Sequence, residues 1–309
     1  MSVLFTFPGQ GAQRPGMLHR LPDHPESART LAETTEVLGS DPLALDTLEA
    51  LASSTAVQLC LLVAGVAMAR TLAALGAEPA MVAGLSIGAY PAAVTAGALD
   101  YRDAVALVAR RGRLMDDAFP RGYGMAAIVG LAQPQLEALL GRVHTAASPV
   151  YLANLNTERQ FVISGADAAL DDVMALARAQ GASRAERLAV SVPSHCPLFD
   201  GAAGEMRQAF AGLTLRRPRI VFLSSSAARM LADPQRIAED LATNMARQVR
   251  WGETARLAWE RGARLAVEMP PGLVLTNLSA PEFREGLAIG CDNTDTGSVL
   301  ALCARFAQA

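Results

Sequence analysis

The stretch Ala80-Met81-Val82-Ala83-Gly84-Leu85-Ser86-Ile87-Gly88-Ala89-Tyr90 decides how the chain reads. An apolar run too short for a helix meets Gly-x-Ser-x-Gly and passes into alanine-rich sequence with Pro91 near a helix start, the strand-turn-helix context of a nucleophile elbow. Such a turn forces its central residue into strained backbone geometry, and Gly84 and Gly88 let neighbouring elements approach with no Cβ in the way. The turn also aims Ser86 at a helix N-terminus, whose free N–H groups stabilise an oxyanion. Ser86 is therefore a candidate nucleophile. The competing reading is a glycine-bounded turn whose serine only caps the helix.

Upstream of the elbow, Val3-Leu4-Phe5-Thr6-Phe7 predicts a buried first strand, ended by the tight loop Pro8-Gly9-Gln10-Gly11-Ala12-Gln13. Gln10 thus falls just past a strand end, where sheet proteins place functional groups. Glu26 to about Leu51 reads as helical with breaks at Gly39 and Pro42, and a long apolar helix begins near Ser53-Ser54-Thr55. Gln58 lies in it among Val57, Leu59 and Leu61, either as a satisfied core amide or as part of a site lining. The apolar run from Leu59 to Ala69 is broken by Gly65 and is too short for a membrane span, which predicts a buried core helix and no membrane partner.

Downstream, Asp100 is a plausible N-cap with Asp103 in the first turn of a helix. Helical periodicity gathers Ala104, Leu107, Val108, Leu114 and Met115 on one face, and Arg111 falls within that stripe while Arg113 points away. A guanidinium on a buried face keeps its charge, so Arg111 requires an anion from the protein or from a substrate.

From Tyr123 to Val192 the pattern changes. Strands are expected at Gly124 to Leu131, Val150 to Asn154, Phe161 to Ser164 and Arg187 to Val192, with helices at Pro134 to Leu140 and Asp167 to Ala179. That order, βαββαβ, is the ferredoxin-like split unit, expected as a subdomain at 123–192 inserted into a larger α/β body formed by 1–122 and 193–309. His195, between Pro193 and Pro197, leaves the insert where a hinge would lie. Of the other histidines, His19 and His24 fall in a Pro-rich loop and His144 follows a helix end, which leaves His195 as the best base for Ser86. Cys196 beside it invites a Cys-His pairing, but adjacent residues of an extended segment point apart.

Further on, Ile220 to Leu223 is read as a strand, Pro234 to Met245 and Arg247 to Arg261 as helices, and Leu265 to Glu268 as a strand ended by Met269-Pro270-Pro271-Gly272. Strands and helices alternating on both sides of the insert predict an α/β fold, an α/β-hydrolase-like core with a mostly parallel sheet covered on two faces.

Composition excludes several chemistries. With 309 residues, 51% of them hydrophobic, the chain can bury a large core, and its net charge of −3 argues against bulk attraction to nucleic acid. All 27 basic residues are arginine, so Schiff-base and pyridoxal phosphate chemistry, a Walker-type phosphate loop and a Ser-Lys dyad are excluded. The four cysteines, Cys60, Cys196, Cys291 and Cys303, form no C-x-x-C pair, and the N-terminal residues show no basic n-region, so a cytoplasmic location and no bound metal are expected.

Several motifs agree with one family. Pro8-Gly9-Gln10-Gly11, Gly84-Leu85-Ser86-Ile87-Gly88, Arg110-Arg111-Gly112-x-x-Met115, Val192-Pro193-Ser194-His195-Cys196 and Glu268-x-x-Pro271-Gly272, in that order, resemble the malonyl-CoA:acyl-carrier-protein transacylases of fatty-acid and polyketide synthesis. Two local forms, Gly-Leu-Ser-Ile-Gly and the pair Tyr123-Gly124-Met125 with Tyr151-Leu152-Ala153-Asn154-Leu155-Asn156, look most like the epsilon (transacylase) subunit of malonate decarboxylase. The resemblance implies that malonyl-CoA is the substrate, that no cofactor is bound, and that an acyl carrier protein, here the carrier subunit of malonate decarboxylase, is the partner. It also implies that Ser86 is acylated with His195 as base, that Gln10 and the Ile87 N–H form the oxyanion hole, and that Arg111 holds the malonyl carboxylate. The residue orienting the histidine would be Asn244, where the family usually has glutamine, and Leu85 replaces the usual histidine beside the serine, changing the pocket wall. Arginines such as Arg216, Arg217 and Arg219 are either a carrier dock or a solvated surface. Two rival readings are a serine thioesterase or hydrolase of the α/β class, and a non-catalytic acyl-CoA-binding subunit.

Overall fold

The short apolar runs of the sequence line up as two sheets in the computed structural model, which describes residues 2–119, 121–190 and 192–308. Strand β1 (Ser2–Phe7) leads through helix α1 (Pro25–Leu38) to the long helix α2 (Ser54–Ala74). Strand β2 (Met81–Gly84) then enters the elbow, followed by α3 (Ala89–Thr95) and α4 (Tyr101–Ala118). The second sheet is built from β3 (Tyr123–Val129), α5 (Gln133–Val143), β4 (Val150–Thr157), β5 (Gln160–Ala166), α6 (Asp167–Ala179) and β6 (Arg184–Arg187). The chain returns through α7 (Asp200–Phe210), β7 (Val221–Ser224), β8 (Arg229–Leu231), α8 (Pro234–Thr243) and α9 (Trp251–Glu260). It finishes with β9 (Ala263–Glu268), α10 (Val274–Ser279), β10 (Leu287–Gly290) and α11 (Thr296–Gln308).

The first sheet has the order β10-β9-β1-β2-β7-β8, parallel except for β8, which runs antiparallel to β7. Its register aligns Phe7 with Gly84 and Gly84 with Ser224, so these C-terminal strand ends form one edge, the place where open α/β sheets gather ligands. Helix α2 is long and apolar enough to cross a membrane, yet 89% of its apolar window is buried inside the fold, where it serves as the core helix. A full burial such as that of Leu62 contributes about 1.5–3 kcal/mol. Helix α4 crosses α2 at Gly112, where an added Cβ would stand 2.4 Å from Thr55 Cα. The same helix holds the start of α2: Asp116 accepts from the amides of Ser54 at 2.7 Å and Thr55 at 3.1 Å, and these bonds pull its carboxyl below the usual range against the effect of burial. Arg111 is therefore fixed one residue from a crossing that tolerates no side chain.

The second sheet has the order β4-β5-β3-β6 and is antiparallel throughout, the predicted split βαββαβ unit. One face packs Ile128, Phe161 and Ile163 against Leu136 and Leu139 of α5 and Leu170 and Val173 of α6. The other carries Met125, Ala153 and Val162. Strand β4 is stitched to the larger sheet's connections, since Leu155 N donates to Val249 O at 2.8 Å and Val249 N to Ala153 O at 2.9 Å.

Several ends differ from expectation by two or three residues, as where β4 runs on to Thr157 and α8 stops at Thr243, and one strand and one helix start are displaced further. The last strand of the split unit is Arg184–Arg187, not Arg187 to Val192; Ser191 of that span lies outside the described residues. The strand is an edge that buries only Ala185, so pairing with β3 decides its place, and beyond it Leu188 N still donates to Met125 O of β3 at 2.9 Å. Helix α9 begins at Trp251 rather than Arg247, because Val249 is spent on pairing with β4.

Candidate active site

The elbow is strained as its sequence requires. Ser86 has φ of 56°, a left-handed conformation that costs a residue with a Cβ about 1–3 kcal/mol. Its neighbours admit only glycine: a Cβ on Gly84 would lie 2.0 Å from Gly88 C, and one on Gly88 would lie 2.0 Å from Phe7 O. The strained turn is held from both sides, by Leu85 N donating to Phe7 O at 3.0 Å and by Ser225 Oγ donating to Gly84 O at 2.7 Å. Ile87 is the second residue of the 3-10 turn Ser86–Gly88, whose Gly88 N donates to Leu85 O at 2.9 Å, and Gln10 stands half-buried one residue beyond Gly9. Gly9 abuts the elbow so closely that its Cβ would meet Leu85 Cδ2 at 2.7 Å. Leu85 itself packs in the buried cluster that holds Leu4, Met81 and Leu223.

His195 is also left-handed, with φ of 66°, and is buried. Its amide donates to Met245 O at 2.7 Å, and Nδ1 faces two main-chain carbonyls, Asn244 O at 2.9 Å and Arg247 O at 3.0 Å. Two acceptors at Nδ1 assign the proton to that nitrogen and leave Nε2 with a free lone pair. Burial, aided by the Arg111 charge, lowers the His195 pKa to about 4, so the ring is neutral at neutral pH. The contact between Asn244 and the histidine runs through the Asn244 backbone carbonyl, alongside that of Arg247, so the side-chain type at 244 is immaterial to it. Cys196 takes no part, as its Sγ donates to Pro193 O at 3.0 Å and burial raises its pKa.

Arg111 is 1% exposed and no Asp or Glu side chain bonds it among the described residues. Its partners are neutral: Nη1 donates to Gln58 Oε1 at 2.6 Å, and Nη2 donates to Ser86 Oγ and to Asn244 Oδ1, each at 3.2 Å. The buried Nε has no partner. Burial lowers the Arg111 pKa to about 10, which leaves it charged at neutral pH. The alternative of a buried ion pair therefore fails, and Gln58, whose Nε2 donates to Met115 Sδ at 3.2 Å, belongs to the site as well as to the core.

The remaining candidates lie elsewhere. His19 pairs with the buried Asp46 at 3.2 Å, His24 caps α1 by accepting from Glu26 N at 3.2 Å, and His144 bonds Val150. Arg216 and Arg219 bond through their amides to Ala98 O and Ala96 O, at the end of β7 opposite the elbow. That position counts against a carrier dock at this cluster. Among the described residues no three His, Cys, Asp or Glu side chains gather as a metal site. The sequence reading missed Ser225 and the carbonyls of Met245 and Arg247; main-chain acceptors leave no side-chain signal.

The family model of the acyl transferase domain matches residues 4–301. The chain is 37% identical over 286 residues to the malonyl CoA-acyl carrier protein transacylase of Escherichia coli (strain K12), covering 89% of this chain and 91% of that one. The solved malonyl CoA-acyl carrier protein transacylase of Coxiella burnetii superposes with a TM-score of 0.93 at 34% identity, covering 99% of this chain and 98% of the other. A malonyl-transacylase solved in complex with its type II polyketide acyl-carrier protein superposes with a TM-score of 0.91 at 33% identity, covering 99% of this chain and 100% of its own. With an elbow serine, a neutral buried histidine and an uncompensated arginine in one site, and with likeness over nearly its whole length, the chain belongs to the acyl transferase family, alongside the malonyl CoA-acyl carrier protein transacylases.

Proposed function

We propose that the protein moves a malonyl group from malonyl-CoA through an ester on Ser86 to the thiol of an acyl carrier protein, in fatty-acid or polyketide synthesis. The observation that carries this reading is Arg111, a buried cation with only neutral partners that touches the candidate nucleophile. A malonyl carboxylate satisfies it, whereas an acetyl group leaves a guanidinium unpaired in a dry pocket. A carboxylate that takes the Arg111 Nη2 donor also frees Ser86 Oγ for His195.

His195 Nε2 then accepts the Ser86 proton as Oγ attacks the thioester carbonyl. The oxyanion is held by the Ile87 N–H and the Gln10 side chain, and its collapse expels the CoA thiolate, which takes the proton from His195. The carrier thiol next gives its proton to His195 and attacks the acyl-serine, and Ser86 leaves with that proton. Loss of an oxyanion donor costs on the order of 10²–10³ in rate.

Mass spectrometry after exposure to malonyl-CoA tests this. A malonyl adduct on the wild-type protein that is absent from Ser86→Ala is expected; an adduct that persists in Ser86→Ala would remove the nucleophile. Free malonate appearing faster than malonyl-carrier would favour the thioesterase reading.

A second acceptor, the carrier subunit of malonate decarboxylase, is favoured only by the Gly84-Leu85-Ser86-Ile87-Gly88 form of the elbow and by Tyr123-Gly124-Met125 of β3 with the Tyr151–Asn156 segment of β4. Parallel transfer assays on a phosphopantetheine carrier and on one bearing the extended CoA-derived arm separate the two. The phosphopantetheine carrier is expected to be the faster.

A further inference from the structure

Both side chains besides Ser86 that reach the Arg111 guanidinium are primary amides: Gln58 from α2 and Asn244 from the turn after α8. An amide and a carboxylate share one shape, so glutamate at 58 or aspartate at 244 would reach and pair with the buried arginine, though without the amide's donor bonds to Met115 Sδ and Ser86 O. The amides accept the same hydrogen bonds without cancelling the charge. Asn244 does more than Gln58, because its Nδ2 donates to Ser86 O at 3.2 Å while its Oδ1 accepts from the same Nη2 that reaches Ser86 Oγ. Ser86, Arg111 and Asn244 thus close a ring, and the main-chain carbonyl of Asn244 bonds His195.

We propose that the Asn244 side chain, together with Gln58, is the positioning pair that sets acyl specificity, fixing Arg111 beside the elbow while keeping its charge uncompensated for the incoming carboxylate. The proposal rests on the reading of Arg111 as the malonyl clamp. Position 244 then has two separable duties: its backbone serves the base and its side chain serves selection.

The test is single-turnover acylation of Ser86 by malonyl-CoA and by acetyl-CoA in wild type, Asn244→Asp, Gln58→Glu and Asn244→Ala. The two acidic variants are expected to lower kcat/KM for malonyl-CoA by roughly 10²-fold and that for acetyl-CoA by far less, collapsing the preference. Asn244→Ala keeps its carbonyl, so it is expected to raise KM for malonyl-CoA more than it lowers kcat, with the midpoint of the pH profile unmoved. Gln58→Glu sits on a different element and carries the test if Asn244→Asp does not fold. Acidic variants that keep the wild-type malonyl preference, or that lose both acyl donors in equal proportion, would overturn the role of the amides alone. A wild-type protein acylated by neither donor would overturn the transferase reading and this proposal with it.

Discussion

Arg111 and Glu268 are both 1% exposed, and their surroundings treat the two charges in opposite ways. Glu268 ends β9 and accepts from Leu275 N at 3.0 Å, Thr276 N at 2.6 Å and Thr276 Oγ1 at 2.7 Å, closing the start of α10. Its charge is met by the free amides and positive end of that helix. Arg111 meets two amides and a hydroxyl, and its Nε meets nothing. A buried charge with a completed set of bonds is part of the architecture. One left short costs the polypeptide stability, which is what supports our proposal that Arg111 is kept for a ligand.

The contrast is broken most directly at Arg111. Arg111→Met, similar in volume and uncharged, is expected to lower kcat/KM for malonyl-CoA by roughly 10²–10³-fold. The same change is expected to hold or raise stability, by up to about 3 kcal/mol in urea unfolding, since burial disfavours the charge. Glu268→Ala is expected to do the reverse. It orphans two amides and a hydroxyl, lowering stability by about 1–3 kcal/mol while leaving the preference for malonyl-CoA over acetyl-CoA in place. If the stability loss falls on Arg111→Met and the selectivity loss on Glu268→Ala, the distinction between the two charges is wrong.

A smaller effect is expected at Gly112, which lets α4 approach Thr55 and so sets where Arg111 stands. Gly112→Ala, with its Cβ forced to within 2.4 Å of Thr55 Cα, is expected to cost about 1–3 kcal/mol and to raise KM for malonyl-CoA. Unchanged KM at reduced stability would show that the crossing supports the fold without placing the arginine.

The catalytic outline was legible because its signals are local. Glycines two residues either side of Ser86, a charge on an apolar helical face at Arg111, and a histidine isolated between prolines each stand out in the linear sequence. The βαββαβ order was equally plain, since alternating strands and amphipathic helices carry their own periods. What stayed hidden was whatever depends on partners distant in sequence. The edge strand Arg184–Arg187 shows three charged residues and one alanine, so its pairing with β3 has no apolar trace. The acceptors on His195 are backbone carbonyls, and Gln58 declares its place in the site only when α4 is brought across α2. Helix α10 and strands β8 and β10 are short segments placed by tertiary contacts, whereas α7 and α11, of 11 and 13 residues, are amphipathic enough to be legible in the sequence.

The two buried charges also predict different responses to pH, and the sharpest lies at His195, whose pKa of about 4 owes most to burial and less to Arg111. With Nε2 as base, kcat/KM for malonyl-CoA should rise with pH through about 4 and level off well before neutrality. In the unfolded chain the ring titrates near its ordinary 6.5, so between 6.5 and about 4 the unfolded state binds a proton that the folded state refuses, and stability falls as pH falls across that window. Arg111→Met removes the lesser cause, so the ascending limb should move to higher pH while remaining below 6.5, and the window of acid destabilisation should narrow. Glu268 works in the other sense: burial lifts its carboxyl above the usual range despite three bonds, so the folded state binds that proton more readily than the unfolded one and Glu268 offsets acid destabilisation. Profiles of single-turnover acylation against pH, beside urea midpoints at neutral and acidic pH, measure both. A limb that moves to lower pH in Arg111→Met would mean that the arginine does not act on the histidine through its charge.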